Sequence, residues 1–417
     1  MRYLILVCCA WVLAIEAKPL KVDVAAQSAI LINAETGAIL YEKESHKPSF
    51  PASITKISTA LYALEKKGHA LNEVIRASPE AMARRRGADF LPHQLVSDGT
   101  HMWLKTGEDL PFNALLHGLM LVSGNDAGNV IAEYVSGSVP QFMKELNAYL
   151  KEQGILETNF CNPHGLHVEE HKTTAYDMAK MTQLALKHQV FRDIVKTVNF
   201  TRPETNKQAP IQLVQFNRLL KPGTYYYPKA IGVKTGYHSN AGCTLVGAAE
   251  HEGRTLIAVL LGEPDTARRF KDAIALFEAA FSQNLVQRVY FSKRYDLFSC
   301  PVKGAKGKLE ANLPEDLTYS YYPAEEPQVK AFIHWNKQKL PIHVGEVVGE
   351  MRLITPDNKV LKSAPLYAVR DLEGTYWFKA KVFVGEHFIL ILIVGTLMLG
   401  MAFTLLYFKK EADEVAE

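Results

Sequence analysis

The feature that most restricts the fold of this chain is an apolar run near its C-terminus, "FILILIVGTLMLGMAFTLLYF" at residues 388–408, which contains no charged residue. A run of this length can cross a bilayer as one helix. Lys409 and Lys410 follow at once, and basic residues favour the cytoplasmic side of a membrane. The sequence therefore predicts a single-pass protein of the plasma membrane, with a cytoplasmic tail at 409–417 and the rest of the chain outside the cytoplasm.

The N-terminus has the pattern of a secretory signal peptide. "MRYLILVCCAWVLAIEAK" has a positive charge near its start, then an apolar stretch, then small residues around Ala14 and Ala17. We expect cleavage near Ala17, which removes residues 1–17 together with Cys8 and Cys9. This export signal agrees with the orientation predicted from the C-terminus.

The cysteines that remain after cleavage are Cys161, Cys243 and Cys300. An odd number of widely separated cysteines excludes a disulfide framework. We expect each of them to be a small buried apolar residue rather than a reactive thiol.

Composition excludes some broad classes of function. Of the 417 residues, 48% are apolar and 22% charged, which suits two or three folded units with a sizeable core. The net charge of +3 is too small for a nucleic-acid-binding protein, which carries a concentrated basic face. The nearest approach to such a face is the run 288–308, which we interpret as solvated surface, with attraction to an anionic polymer or lipid as the alternative.

The exported part changes character near residue 286. Residues 18–286 mix helical periods, as in "SITKISTALYALEKKG", with β-type runs such as "CTLVGAAEHEGRTLIAVLLG". Residues 287–380 contain short alternating segments separated by Pro, Gly and Asp-Asn turns. The sequence therefore predicts a mixed α/β domain, then a small all-β domain, then the transmembrane helix.

A possible nucleophile and base lie in "PASITKISTA". Residues three apart share one face of a helix, so Ser53 and Lys56 are expected to project side by side. Pro51 suits a helix start, where unpaired backbone N–H groups could hold an oxyanion. A lysine with a lowered pKa can take the proton of a serine hydroxyl. Alone, this short pattern also fits an ordinary helix start with a solvated lysine.

Two later stretches carry compatible chemistry. "LVSGNDAGNV" places Ser123 and Asn125 on either side of a glycine between two apolar helical runs, so both side chains could enter one cleft, although an ordinary turn fits as well. "AIGVKTGYHS" places Lys234-Thr235-Gly236 on a strand-like run, where lysine and threonine suit a carboxylate and glycine allows close approach. Lys105-Thr106-Gly107 repeats the tripeptide without β-type flanks, so we interpret that copy as a loop.

In this order the three motifs resemble those of the penicillin-recognising serine enzymes. Longer segments are similar to the D-alanyl-D-alanine carboxypeptidases, the low-molecular-mass penicillin-binding proteins: "AILINAETGAILYEKESHKPSFPASITKISTA" to their opening segment and "LPIHVGEVVGEMRL" to their C-terminal β-domain. The resemblance covers residues 25–370. It implies that the mixed α/β domain has the penicillin-binding transpeptidase or β-lactamase-like fold.

The resemblance also implies roles for individual residues. Ser53 corresponds to the acylated nucleophile, Lys56 to its general base, and Ser123 to the hydroxyl that passes a proton to the leaving amine. The residues implied to bind substrate are Asn125, Lys234, Thr235, Gly236, Tyr237 and Arg269. The implied reaction is attack on the terminal D-Ala-D-Ala bond of a peptidoglycan stem peptide, release of D-alanine and hydrolysis of the acyl-enzyme.

The oxyanion hole implied by the resemblance consists of the backbone N–H groups of Ser53 and Tyr237. β-Lactams are the implied covalent inhibitors, and no metal or other cofactor is implied. For the arginine near the substrate carboxylate, Arg269 fits best, with Arg268 and Arg218 as alternatives.

The chain departs from the family pattern in two places. Tyr237 follows Lys-Thr-Gly, where a smaller or imidazole side chain is common, which leaves substrate preference and deacylation rate open. The family's usual C-terminal anchor is an amphipathic helix that lies on the membrane, whereas residues 388–408 are apolar throughout.

Several alternatives stay open at this point. His164, His167, Glu170 and His171 have spacings that could bind zinc, although no helical His-Glu-x-x-His order is present. A β-lactamase of the same fold would have neither a β-domain nor a membrane span. A D,D-endopeptidase and a catalytically silent peptidoglycan-binding protein also fit the motifs.

Overall fold

The computed structural model describes residues 11–13, 18–87 and 90–415. The described residues divide into two units: a larger one from Ala17–Leu285 together with Tyr322–Glu326, and a smaller one from the other described residues. The division falls between Leu285 and Val286. The domain bounds 18–286 and 287–380 stay predictions, since the structure also assigns Tyr322–Glu326 to the larger unit.

The strands and helices are numbered in chain order. The strands are β1 (Trp11–Leu13), β2 (Ser28–Asn33), β3 (Ile39–Lys43), β4 (Val74–Arg76), β5 (Asp109–Pro111), β6 (Asn199–Arg202), β7 (Ile211–Val214), β8 (Ala230–His238), β9 (Gly242–His251), β10 (Arg254–Glu263), β11 (Val286–Phe291), β12 (Phe298–Pro301), β13 (Lys308–Asn312), β14 (Leu317–Tyr321), β15 (Val329–Trp335), β16 (Val347–Ile354) and β17 (Val360–Ala368). The helices are α1 (Lys56–Lys67), α2 (Phe112–Leu121), α3 (Asn125–Ser136), α4 (Val139–Glu152), α5 (Ala175–Ala185), α6 (Gln189–Lys196), α7 (Thr266–Phe281), α8 (Tyr376–Glu386) and α9 (Phe388–Val415).

The centre of the larger unit is a five-stranded antiparallel sheet in the order β3-β2-β10-β9-β8. Alternate residues of β10 face opposite sides of the sheet. Leu256 and Leu260 pack with Phe277 of α7. Ile257 and Val259 lie in the core that includes residues of α1 to α6. A strand buried on both faces reads as a continuous apolar run, which explains "TLIAVLLG". The sheet therefore lies between α7 on one face and the core that includes α1 to α6 on the other.

A segment from later in the sequence completes the larger unit. Ala324 is fully buried against the α7 side of the sheet. Glu325 forms an ion pair with Arg254 and accepts a hydrogen bond from Asn33 Nδ2 at 2.9 Å. The Arg254 guanidinium also lies over the ring of Tyr322, 3.6 Å from its centroid. We call Tyr322–Glu326 the returning segment.

The smaller unit is built from β-structure around its own core. Its six-stranded sheet has the order β1-β15-β16-β17-β13-β12, and β11 pairs with β14. Leu309, Val348, Leu353 and Leu366 are among its buried residues. The predicted order of a mixed α/β domain, an all-β domain and a terminal apolar helix is confirmed.

The predicted signal peptide lies mostly outside the described residues, as do Cys8, Cys9 and the cleavage near Ala17. The described part of it is β1, which pairs with Val329–Ala331 in antiparallel register. The signal peptide stays a prediction.

The C-terminal apolar run forms a helix. The stretch Phe388–Leu406 is exposed, has a mean hydropathy of 2.6 and is long enough to cross a membrane. Helix α9 begins at Phe388, as predicted, but continues to Val415 rather than ending near 408.

Candidate active site

Ser53 lies in a tight turn at the entrance to α1. The turn, Ala52–Thr55, is a 3₁₀ helix rather than the predicted first turn of an α-helix, and α1 continues it from Lys56. Pro51 precedes the turn, and its carbonyl oxygen accepts a hydrogen bond from Thr244 Oγ1 at 3.0 Å. The backbone N–H groups of such a first turn have no partner within the helix. Ser53 thus combines a hydroxyl with nearby backbone donors.

Lys56 is fully buried and contacts three oxygen atoms. Its Nζ lies 3.1 Å from Ser53 Oγ, 2.7 Å from Asn125 Oδ1 and 2.7 Å from the carbonyl oxygen of His164. Two of these oxygens can only accept hydrogen bonds, whereas the Ser53 hydroxyl can also donate. A neutral amine has two N–H groups for the two acceptors and a lone pair for the hydroxyl proton. The three contacts therefore suit neutral Lys56.

The electrostatic surroundings favour the same state. Burial, and then the charge of Lys234, hold the pKa of Lys56 well below its usual value. A neutral lysine amine next to a serine hydroxyl can act as a general base.

Ser123 and Asn125 lie at the bend between α2 and α3, as predicted. Ser123 has a φ of +64°, which is costly for a residue other than glycine. Its carbonyl oxygen accepts a hydrogen bond from Thr100 Oγ1 at 2.6 Å. Among the described residues, no partner binds the buried Ser123 Oγ. This hydroxyl is therefore available to a ligand at the wall of the cleft.

Strand β8 carries Lys234, Thr235 and Gly236 beside the Ser53 turn. Burial, and then the charge of Arg269, lower the pKa of Lys234 to about 7. Lys234 Nζ donates a hydrogen bond to the carbonyl oxygen of Thr235 at 3.0 Å. A Cβ atom at residue 236 would lie 2.9 Å from the backbone nitrogen of Ser53, so only glycine lets β8 lie this close to the Ser53 turn.

The three arginines have different environments. Arg269 is 8% exposed, and its Nη1 donates to the carbonyl oxygen of Gly236 at 2.8 Å. Arg268 instead forms an ion pair with Asp272 at 2.8 Å. The guanidinium of Arg218 lies over the ring of Tyr225, 4.5 Å from its centroid. Arg269 and Arg218 line the cleft, and Arg268 does not.

The cleft has a volume of about 990 Å³. Seven of the predicted site residues form part of its wall: Ser53, Ser123, Asn125, Thr235, Gly236, Tyr237 and Arg269. Lys56 and Lys234 are buried beneath this surface. Three motifs that are far apart in sequence thus meet at one cleft, which is lined by hydroxyl groups and arginines and has two lysine amines beneath it.

A family model described as "D-alanyl-D-alanine carboxypeptidase" matches residues 14–265. The chain belongs to the D-alanyl-D-alanine carboxypeptidase family. The carboxypeptidase DacF of Bacillus subtilis is 32% identical over 355 residues, which is 84% of this chain and 86% of that protein. DacC of Escherichia coli is 28% identical over 373 residues, which is 85% of this chain and 86% of that protein.

Solved structures agree with this assignment. Penicillin binding protein 5 of Haemophilus influenzae matches with a TM-score of 0.59 and 25% identity, over 85% of this chain and 99% of that chain. A Streptomyces K15 DD-transpeptidase matches with a TM-score of 0.56 and 27% identity, over 63% of this chain and 100% of that chain. The family resemblance, the penicillin-binding fold and the class of serine peptidase are confirmed.

The zinc hypothesis finds no support in this family member. Within 11–13, 18–87 and 90–415, no group of three His, Cys, Asp or Glu residues could hold a metal ion. His164 Nε2 contacts the carbonyl oxygen of His93 at 3.0 Å, and His171 Nε2 contacts Thr55 Oγ1 at 2.9 Å. The two rings have structural partners instead.

Sequence reasoning missed the contribution of Gly165. Its φ is +92°, and a Cβ atom there would lie 1.9 Å from the carbonyl oxygen of Ala52. The preceding carbonyl, of His164, accepts the hydrogen bond from Lys56. The glycine in "NPHGL" was the available signal, but nothing in the sequence identifies its contact across the fold.

Proposed function

We propose that this chain is a serine-type D-Ala-D-Ala carboxypeptidase that removes the terminal D-alanine from peptidoglycan pentapeptides. The observation that carries the proposal is the environment of Lys56 Nζ, which has two carbonyl acceptors and the Ser53 hydroxyl as its neighbours. This environment prepares one serine for attack.

In the first step, Ser53 Oγ attacks the carbonyl carbon of the terminal D-Ala-D-Ala bond while Lys56 takes its proton. The resulting oxyanion is bound by the backbone N–H groups of Ser53 and Tyr237. The C–N bond then breaks, and the leaving amine receives a proton from Lys56 through the hydroxyl of Ser123. D-Alanine leaves, and the rest of the peptide is an ester of Ser53.

In the second step, water attacks the ester carbonyl and gives its proton to Lys56, and the proton returns to Ser53 Oγ as the ester bond breaks. The terminal carboxylate is bound by Lys234, Thr235 and Arg269, while Asn125 holds the peptide backbone and Gly236 lets strand β8 lie against the Ser53 turn. β-Lactams acylate the same serine and act as covalent inhibitors.

We also propose that α9 spans the plasma membrane and that the catalytic cleft faces the extracytoplasmic side, where the substrate lies. The length and hydropathy of Phe388–Leu406 support this placement. Protease added to intact cells should cut the larger unit and leave the tail. Protection of the larger unit would contradict the orientation.

Labelling with a fluorescent penicillin tests the serine mechanism. We expect covalent label on the full-length protein and none on Ser53→Ala, with Lys105→Ala, in the second Lys-Thr-Gly copy, as the matched control that keeps the label. Label that persists in Ser53→Ala would overturn the assignment.

Product analysis separates the remaining activities. Incubation with a pentapeptide should release free D-alanine, whereas cleavage of a cross-linked dimer without D-alanine release would indicate an endopeptidase. Label without either product would indicate a silent binding protein, and rapid hydrolysis of the penicillin itself would indicate a β-lactamase.

A further inference from the structure

We propose that Thr55 and His171 are positioning residues that orient the peptide group between Ala52 and Ser53, and with it the oxyanion-binding N–H of Ser53. This inference rests on the proposed serine mechanism and adds two residues to it. Neither residue lines the cleft.

The first observation is the conformation of Ala52. Its φ of +50° lies in the left-handed region, which residues with a Cβ atom rarely adopt. Such a conformation persists only where surrounding contacts hold it. Ala52 directly precedes the proposed nucleophile, so the contacts that hold it also determine where the Ser53 backbone points.

The contacts converge on the Ala52 carbonyl oxygen. Thr55 Oγ1 donates a hydrogen bond to this oxygen at 2.9 Å. Gly165 lies against the same oxygen so closely that no larger residue fits. The Ala52 carbonyl is therefore held on the side of the turn where Thr55 and Gly165 lie.

The geometry of the peptide group carries this constraint to Ser53. In a trans peptide the C=O of one residue and the N–H of the next lie in one plane and point in opposite directions. Fixing the Ala52 carbonyl towards Thr55 therefore turns the Ser53 N–H the other way. Gly236 of β8 lies beside that nitrogen, next to Tyr237, whose N–H is the other proposed donor.

His171 fixes the direction of the Thr55 hydroxyl. The backbone N–H of Cys161 donates to His171 Nδ1 at 3.0 Å, so the ring proton lies on Nε2. Nε2 is 2.9 Å from Thr55 Oγ1 and donates to it. The hydroxyl proton of Thr55 therefore points at the carbonyl oxygen of Ala52. Cys161, His171, Thr55 and Ala52 form one chain of hydrogen bonds with a single direction.

This hydrogen-bond chain is shielded from solvent, and the protonation of its histidine does not change at working pH. His171 is 1% exposed, and Thr55 is fully buried. Burial is the main cause that lowers the pKa of His171 to about 3, so the ring is neutral at pH 6 and at pH 9. Its task is therefore orientation and not proton transfer.

The test uses the full-length protein and compares Thr55→Val with Thr55→Ser. Valine keeps the shape of threonine but can neither donate to Ala52 nor accept from His171, whereas serine keeps both bonds. The oxyanion forms only as Ser53 attacks, so an N–H group that stabilises it acts on the transition state and not on the bound substrate. Losing that stabilisation should lower kcat and leave KM unchanged. We expect Thr55→Val to lower kcat for a pentapeptide about 10- to 100-fold, below the full loss of one oxyanion donor. Thr55→Ser should stay within about threefold of the wild type.

A second measurement separates orientation from general damage. A peptide boronic acid that forms a tetrahedral adduct with Ser53 places an oxygen in the oxyanion hole, so its affinity should fall with kcat in Thr55→Val. His171→Phe should show the same pattern, with the kcat deficit equal at pH 6 and pH 9 because His171 is neutral at both. If Thr55→Val does not fold, Thr55→Cys takes its place, since a thiol is a weak donor.

The outcomes decide between the two proposals. A folded Thr55→Val with unchanged kcat, or with lower kcat but unchanged boronate affinity, would overturn the positioning role and leave the carboxypeptidase proposal intact. A wild-type protein that no penicillin acylates at Ser53 would overturn both.

Discussion

Lys-Thr-Gly occurs twice in this chain, and the two copies have opposite environments. Lys234 lies on β8 and is 1% exposed, whereas Lys105 is exposed in the loop before β5. Gly236 adjoins the backbone nitrogen of Ser53, whereas the nearest atom to a Cβ at Gly107 would be Lys207 Cε at 3.8 Å. The same three residues thus form part of a site in one place and a loop in the other. Sheet context and burial make the difference.

The loop copy contributes to the fold through its neighbour Glu108. This carboxylate accepts a hydrogen bond from the backbone N–H of Lys105 at 2.8 Å and forms an ion pair with Arg202 at 2.6 Å. Thr205 and Gln208 also donate to it. The loop interpretation is confirmed, and this copy ties the start of β5 to the β6–β7 hairpin.

The largest expected difference between the two copies is in the effect of replacing their lysines. Lys234→Ala removes the buried charge proposed to bind the substrate carboxylate, which costs about 3–5 kcal/mol of transition-state binding. We expect acylation by a fluorescent penicillin to slow by about two to four orders of magnitude. Lys105→Ala should label at the wild-type rate. Equal labelling rates for the two variants would contradict the assignment of Lys234, and not Lys105, to the site.

The next effect concerns the buried ion pair beside the loop copy. Arg202→Met leaves the Glu108 carboxylate buried without its cation, so we expect a loss of about 3 kcal/mol in unfolding free energy. Denaturant titration measures this loss. The matched control is Arg76→Met, which breaks an exposed pair with Asp109 and should lose far less. The prediction is wrong if both variants unfold at the same midpoint.

The third effect is a pH dependence specific to the β8 copy. Protonated Lys234 is the form that attracts a carboxylate, and its pKa is about 7. As pH rises through that value the charge is lost, so kcat/KM for a D-Ala-D-Ala peptide should fall, by about tenfold per pH unit well above it. Lys56 does not produce this fall, because a general base is active when deprotonated, so its titration raises kcat/KM as pH rises.

Two variants assign the fall to one lysine. Lys234→Arg should extend full carboxylate binding towards pH 10, because a guanidinium stays protonated there. Lys105→Ala should keep the wild-type profile. A wild-type profile that is flat up to pH 9 would refute the role given to Lys234.

The smallest effect is expected at Gly107. Its φ is +76°, so Gly107→Ala should lower the unfolding free energy by about 1 kcal/mol while labelling stays intact. Thr106→Ala, an exposed neighbour, serves as the control and should change neither quantity. Thermal unfolding followed by penicillin labelling measures both, and lost labelling in Gly107→Ala would place the loop copy in the site.

The sequence predicts the parts of the site that depend on local spacing. Ser53 and Lys56 are three residues apart and are in contact, and Ser123 and Asn125 lie at a bend between helices. The order of α/β and all-β regions follows from hydrophobic period. These features depend on residues that are close together in the chain, so a sequence pattern can predict them.

The remaining features depend on contacts between distant segments. The left-handed conformation of Ala52 is held partly by Gly165, and the lowered pKa of Lys56 depends on its burial and on the charge of Lys234. Neither alanine nor lysine carries a local signal for such a state. Choosing among Arg218, Arg268 and Arg269 likewise requires their positions in the fold.

The returning segment affects the timing of folding. Glu325 and Ala324 belong to the larger unit but follow β11 to β14 in the chain. Until synthesis reaches residue 326, Arg254 has no Glu325 carboxylate beside it, and one edge of the α7 core stays uncovered. The catalytic unit therefore finishes folding only after the next unit has begun to emerge. A recombinant fragment that stops at 286 would lack the Glu325 partner of Arg254.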